Sequence, residues 1–349
     1  MARQLRLTRF RDVSLDDPFF DSLKAGYNGF SNWFAGKANE PLYIVADGHK
    51  ISGMIYLKRE DGPVTDVAPP LPDRAWLKVG TLKIEPAGTK LGERAIKKIV
   101  DTALVTGADG IYVTVFEVHQ DLITLFERYG FVHAGTKTTD NGVEQVYLRS
   151  LTEHDDDPLK RYPFIRAAGQ KFWLLAIYPE YHTRLLPDSI LNNEPQDIIE
   201  DVSHTNTIHK VYISGLALQR MRPGDPVIFY RTSDRAGQAR YRSVVTSVCV
   251  VEEVRRKSDF RGIDAYLAYT RPRSVFSEAE LREKYVTSDR MGVAKLTYNA
   301  AFTRRVIRQT LLDEGILTER QRPDLVELPR ADFDRLLELG EVNAGIVVD

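Results

Sequence analysis

The sequence predicts an α+β chain of two domains. Three observations carry this: strand, turn and helix patterns alternate through the first 150 residues, short strands with interleaved aromatic and basic residues run from 171 to 270, and the last 75 residues show helical periodicity. A chain of 349 residues exceeds one ordinary core. The stretch "TEHDDDPLKRYP" (Thr152 to Pro163), with four acids and two prolines between apolar segments, suits an exposed connector. The split is placed near residue 158, with domains at 1–152 and 158–349.

Composition, 43% hydrophobic and 28% charged, is that of globular material. No run of about 18 apolar residues suggests a membrane span, and the N-terminus lacks the apolar core of a signal peptide. A cytoplasmic protein is the expectation. The lone cysteine, Cys249, lies in "VVTSVCVVEEV" and reads as a buried strand residue. His182, His204 and His209 lack the spacing and partners of a metal site, so no metal is expected. The net charge of −1 hides a bias: residues 205–275 hold 13 Lys+Arg against 6 Asp+Glu, between acidic neighbours. Such a stretch reads as a solvated sheet face or as a surface for an anionic polymer.

The chemistry centres on "EPAGTKLGERAIKKIV", Glu85 to Val100. Gly92 is followed by Glu93 and Arg94, which excludes the Gly-Lys-Ser/Thr of a nucleotide loop, and the spacing of Gly88 and Gly92 excludes the dinucleotide pattern. What remains is a turn opening a helix whose first N–H groups favour an anion, or a plain strand-to-helix joint. The flanks are informative. Trp76 to Ile84 alternates as a strand, and Ala95, Ile96, Ile99, Val100 and Ala103 share one helical face. Ile111 to Phe116 is a buried strand, "HQDLITLFERYGF" a short helix closing on Gly130, and "GVEQVYLRS" a further strand.

This order of elements, with its loop and terminal "ERYGF", resembles the GNAT N-acetyltransferase superfamily over Arg3 to Arg149. The resemblance implies acetyl-CoA as cosubstrate, with main-chain contacts from Leu82 and Ile84. It implies a phosphate cradle from Ala87, Gly88, Thr89, Lys90, Leu91, Gly92 and Glu93, and a closing segment at Glu127 to Phe131. Two departures stand out. Ala87 and Lys90 replace the family's first loop residue and middle glycine, and Phe126 occupies the place of the tyrosine that protonates the leaving thiolate in many members. The substitute donors are Tyr129, one turn onward on the apolar stripe, and His119, whose imidazole suits acid–base work. Glu85 is the candidate base, or an ordinary helix-entry charge. Trp33 and Phe34 frame an acceptor pocket or belong to the core.

In the second half, Lys171–Pro179, Lys210–Ser214, Pro226–Thr232, Ala239–Arg256 and Ala265–Thr270 read as strands of a small barrel or strongly curved sheet. "HTNTIHKVYIS" and "GLALQRMRPGDPVIFYRT" resemble the PUA-like superfold that includes the PUA, ASCH and EVE domains, over about residues 160–275. That implies recognition of RNA or of a modified base. Candidate contacts are Lys210, Arg220, Arg222, Tyr230, Arg231, Arg240 and Arg242; Asn206 and Thr207 cap a turn or line a pocket. The C-terminal region reads as helices, one opening with the capping box Ser277 to Glu280, and another spanning "AAFTRRVIRQTLLDEG". The function expected is acetyl transfer directed to RNA or an RNA-associated acceptor; the alternative is a silent acetyl-CoA sensor that binds nucleic acid.

Overall fold

The computed structural model describes residues 4–47, 50–85, 90–189 and 207–349. The chain divides into two compact units, Met1–Arg161 and Tyr162–Asp349. Among the described residues no helix is long and apolar enough to cross a membrane.

In chain order, the first unit comprises β1 (Gln4–Arg9), α1 (Asp21–Gly26), α2 (Phe30–Gly36), β2 (Pro41–Asp47), β3 (Lys50–Val64), β4 (Leu71–Ile84) and α3 (Leu91–Val105). It continues with β5 (Gly110–Val115), α4 (Gln120–Arg128), β6 (Val132–Thr139), β7 (Gly142–Ser150) and α5 (Pro158–Arg161). The described strands form one sheet in the order β1-β2-β3-β4-β5-β7-β6. Its described pairs are antiparallel except β4 with β5. Parallel neighbours need a crossover, and α3 supplies it, burying Ala95, Ile96, Ile99, Val100 and Ala103. The short helices α1 and α2 belong to a second apolar cluster of Phe10, Phe19, Phe20, Phe30, Phe34, Met54 and Tyr56. Phe34 is therefore core, and the partly buried Trp33 packs against the same cluster.

The second unit comprises β8 (Ile165–Arg166), β9 (Phe172–Ile177), α6 (Pro179–Leu185), β10 (His209–Ser214), β11 (Pro226–Arg231), α7 (Ala239–Arg242) and β12 (Val244–Arg256). There follow α8 (Ile263–Thr270), α9 (Glu278–Thr287), β13 (Gly292–Ile307), α10 (Arg308–Asp313), β14 (Leu325–Leu328), α11 (Arg330–Leu339) and β15 (Val347–Val348). Six of these strands form a sheet in the order β10-β13-β12-β11-β9-β14, in which β9 and β11 run parallel. Among the described residues the six strands form a mixed sheet with no ladder between β10 and β14, where a small barrel or strongly curved sheet was expected. Its long strands β12 and β13 slip register near Val245, Val248 and Val251, and such bulges bend a sheet without closing it.

Three expected elements change type. Ala265–Thr270, read as a strand, lies in α8: helical spacing turns Tyr266, Leu267 and Thr270 inward, the first two into a cluster with Val211, Ile213, Phe260, Leu281 and Met291, where strand alternation would send neighbours to opposite faces. Ala239–Arg242, read as strand, forms α7. Ala300–Ile307, read as helix, completes β13, with Val306 opposite Val245 and Ile307 opposite Val244. Long-range pairing there overrides the local pattern. The capping box forms as expected, with Ser277 N–H donating to Glu280 Oε2 at 2.7 Å and Glu280 N–H to Ser277 Oγ at 3.3 Å. Cys249 is buried, and burial pushes its thiol up to about 12, as befits an inert core residue.

The Pro-Gly-Asp turn before β11 is fastened by Asp225, which is 2% exposed. Its carboxylate accepts from Trp173 Nε1 (2.9 Å), Arg222 N–H (2.9 Å) and Lys171 N–H (3.1 Å), tying the turn to β9. Each charge-assisted bond contributes about 1.5–3 kcal/mol, and the losses overlap when one residue makes all three. Asp225→Ala should therefore lower the stability of this unit by about 3 kcal/mol or more, read from urea unfolding followed by Trp173 fluorescence.

Candidate functional site

The parallel pair β4/β5 holds for four rungs, from Trp76 opposite Gly110 to Val79 opposite Val113. Beyond Val79 the strands part. β4 continues to Ile84 paired with β3 only, while β5 continues to Val115 paired with β7. The cause is local: β3 steps from Tyr56 to Leu57 while β4 steps from Thr81 to Val79, leaving Gly80 as an extra residue. Such a bulge bends its strand away from the far neighbour. A side chain at Gly80 would meet the Tyr56 ring at 2.6 Å, so this close approach requires glycine.

The opening exposes backbone. Glu85 N–H donates to Ser52 O at 2.9 Å, so strand alternation directs Lys83 and Thr81 to β3 and turns the N–H and C=O of Leu82 and Ile84 to the unpaired edge. These are the two residues expected to make main-chain contacts. Lys83 ties the strand end to α1 through Ser22 Oγ (2.6 Å) and Phe19 O; burial lowers its ammonium pKa, and Glu85 nearby opposes that.

After the turn, Lys90 precedes α3 in the left-handed conformation (φ 53°), and Leu91, Gly92 and Glu93 form the first turn. Ala87, Gly88 and Thr89 lie outside the described residues. Gly92 serves packing: a Cβ there would sit 2.9 Å from Leu125, so its small size lets α4 approach the start of α3. The end of β4, the start of α3 and the helix α4 are thus brought together. Phe126 on α4 and Tyr129 just past its end are fully buried, whereas His119 lies exposed just before its start.

On the α1/α2 face of this sheet, next to the opening, lies a polar cluster not anticipated from the sequence. Glu60 accepts from Lys58 Nζ (2.9 Å) and Tyr112 Oη, and Lys78 Nζ lies 3.9 Å from the same carboxylate. Lys137 pairs with Asp66. Burial tends to raise Glu60, but the bonds from Tyr112 and Lys58 outweigh it and hold it low. Burial, with Lys137 and Lys58 nearby, lowers Lys78. At the other end of the face Tyr56 Oη donates to Glu40, which also pairs with Lys37 at 3.0 Å. The available signal was Lys78 itself: in Trp76-Leu77-Lys78 a charge occupies the register of the buried Trp76.

The second-unit residues expected to contact RNA do not form one face. Arg220 stacks over Trp173 (4.9 Å) and lies 3.6 Å from Glu327, and Arg222 is exposed beside it. Arg231 is at the other end of β11, about 17 Å along the strand by its rise per residue, and is 5% exposed. Lys210 is 3% exposed, with Nζ over the Tyr298 ring at 5.6 Å. Tyr230 is a core residue at 1% exposure, so its ring offers no face to a base. Arg240 and Arg242 are surface residues of α7, paired with Glu319 and Asp234, and flank the exposed Tyr241.

Among the described residues no group of three His, Cys, Asp or Glu side chains converges on a metal-sized site. His209 Nδ1 faces Glu252, which also pairs with Lys295 at 2.6 Å; Thr207 is buried and donates to His209 O; His204 and Asn206 lie outside the described residues. His182 is fully buried, with Nε2 2.8 Å from Thr246 Oγ1.

A scan against protein-family models and a search of curated proteins return no match. Among solved structures the chain is similar to ASCH from Zymomonas mobilis, at 11% identity over 48% of this chain and 95% of that one, TM-score 0.34. It is similar to a putative phosphinothricin N-acetyltransferase, at 20% identity over 43% and 99%, TM-score 0.33. A third is Naa20 of Chaetomium thermophilum in complex with a bisubstrate analogue, at 17% identity over 43% and 87%, TM-score 0.33.

Burial, followed by the charges of Arg231 and Arg305, pushes the His182 imidazole down to about 3. The unfolded chain takes up this proton near pH 6.5 and the native state refuses it. Stability is therefore intact above pH 6.5 and is lost as pH falls towards 3, by about 1.4 kcal/mol per pH unit. In urea unfolding between pH 6 and 4, His182→Gln should show a slope shallower than the parent by about that amount.

Proposed function

We propose that the first unit is a GNAT-type N-acetyltransferase that holds acetyl-CoA along the open edge of β4, and that the second unit is a PUA-like module that recognises the RNA or RNA-bound acceptor. One observation carries the reading: the parallel pair β4/β5 parts after Val79 and Val113, and the freed strand leads into the N-terminus of α3. The free N–H and C=O groups of Leu82 and Ile84 fit a pantetheine amide chain, and the first turn of α3 with Lys90 fits its phosphates. Acetyl-CoA supplies the thioester carbonyl that an acceptor amine attacks; proximity is the main rate contribution expected of the chain. Glu85 is the candidate to take the ammonium proton, and His119 or Tyr129 to return one to the sulfur. His119 meets solvent, whereas Tyr129 would have to act from the buried side of α4.

The competing reading, a sensor that binds acetyl-CoA without turnover, draws on the buried Phe126 at the usual donor position. Release of CoA in the presence of acceptor separates the two. For the shared binding step, Leu82→Pro removes one N–H from the unpaired edge and leaves the β3 ladder whole. CoA affinity by calorimetry should fall about tenfold while thermal stability is nearly kept. Unchanged affinity would overturn the assignment of the site. RNA recognition is drawn from the basic stretch and the exposed Arg240-Tyr241-Arg242. Arg240→Glu with Arg242→Glu should cut RNA retention on filters at low salt by about tenfold; equal retention would remove this surface as the contact.

A further inference from the structure

The polar cluster beside the opening lies between two apolar clusters on the same face of the sheet. On one side are Phe10, Phe34 and Tyr56; on the other are Val64, Val67, Trp76 and the ring of Tyr112. Charge in such a place is kept only where it is matched. Here the match is incomplete. Lys58 is satisfied by Glu60 at 2.9 Å and Lys137 by Asp66, while the nearest carboxylate oxygen to Lys78 Nζ is the already shared Glu60 Oε1, at 3.9 Å. Three ammonium groups thus face two carboxylates, and the pair Lys37 and Glu40 farther along the face cancels itself. The side chains of Lys78, Glu60 and Lys137 are 20%, 22% and 18% exposed, and those of Lys58 and Asp66 52% and 55%, so Lys78 sits on the shielded side of a cluster that opens to solvent.

Its position ties it to the proposed chemistry. Lys78 is opposite Tyr112, one rung before the last pair, Val79 with Val113, at which the strands part. We propose that Lys78 binds an anionic group, a carboxylate or a phosphate, carried by the acceptor close to its amine; this rests on the acetyl-transfer reading. The anion takes up the charge at Lys78, which is otherwise met only by the shared Glu60 at 3.9 Å and the Tyr112 ring at 5.3 Å, with Lys58 and Lys137 as its outer neighbours, and leaves the amine towards the opening. A polycationic acceptor, such as a polyamine, would meet three ammonium groups at this approach and is selected against.

The test uses the full-length chain with isotopically labelled lysine, the Lys78 side-chain NMR signal being assigned by its loss in Lys78→Met. Protein saturated with CoA is titrated with L-methionine, with its decarboxylated counterpart 3-(methylthio)propylamine, and with adenosine monophosphate. A saturable shift of the Lys78 signal by methionine identifies a carboxylate as the anion; a shift by the nucleotide identifies a phosphate. Either should bind at least about tenfold more weakly to Lys78→Met by calorimetry, with Lys78→Arg retaining binding within a few fold. Equal response to the decarboxylated amine, equal affinity in Lys78→Met, or no saturable response to any probe would overturn the proposal. If CoA itself does not bind, the acetyl-transfer reading fails, and the same titrations without CoA still decide whether Lys78 holds an anion.

Discussion

The geometry of the first unit follows from one constraint: two parallel strands can be neighbours only if a crossover connects them, and here the pairing cannot continue past a bulge. The crossover brings α3 onto the sheet with its N-terminus at the end of β4. Gly80 adds one residue to β4 against β3, the strand bends, and the edge that would have paired with β5 is left free. An unpaired edge inside a sheet is costly unless water or a ligand satisfies it. The same bend places the Tyr56 ring where no side chain fits at residue 80, and brings the Lys78–Tyr112 rung to the rim of the opening. The open edge follows from a single irregularity in one strand, and the start of α3 and the polar cluster lie beside it.

The second unit shows how little a charge excess says about a surface. Its basic stretch is spent in several ways: Arg220 on the Trp173 face, Arg242 on Asp234, Arg255 on Glu253 and over the Tyr269 ring at 4.4 Å, with Lys210 and Arg231 drawn almost wholly inside. Acids distant in sequence, such as Glu319 and Glu327, return to neutralise cations more than 70 residues away. Those that remain outward, such as Arg222, Arg235, Arg256, Arg261 and Arg271, are scattered along the stretch. The buried Asp225 makes the complementary point, since its single carboxylate organises the turn and the Trp173 indole together.

Much was legible from local pattern. Period-two alternation marked β4, a buried apolar run marked β5, the apolar stripe marked α3, and the Ser277 capping box marked the start of α9, because each is settled by neighbours within a few residues. Leu82 and Ile84, expected to make main-chain contacts, turn their N–H and C=O groups to the open edge by strand parity. Where local pattern misled, distant contacts decided. Ala300–Ile307 carries a helical stripe but is held in a ladder by Val244 and Val245, and Ala265–Thr270 has strand-like residues but one apolar cluster to fill. Gly92 was read as a phosphate-loop glycine; what the structure gives it is a packing role, its small size admitting Leu125.

By itself, the order of amino acids determined most strands and helices of the first unit and the expectation of a connector near residue 158 and of an anion at the start of α3. Those properties depend on backbone propensity and on periodicity, which are local. Only the tertiary structure decided that Tyr230 is core, that Arg231 turns inward, and that Lys58, Glu60, Lys78 and Tyr112, drawn from three strands and up to 54 residues apart, meet in one cluster. Charge compensation acts through space, and the register of β3, β4 and β5 that sets those distances is fixed by pairing partners which no short window of sequence contains.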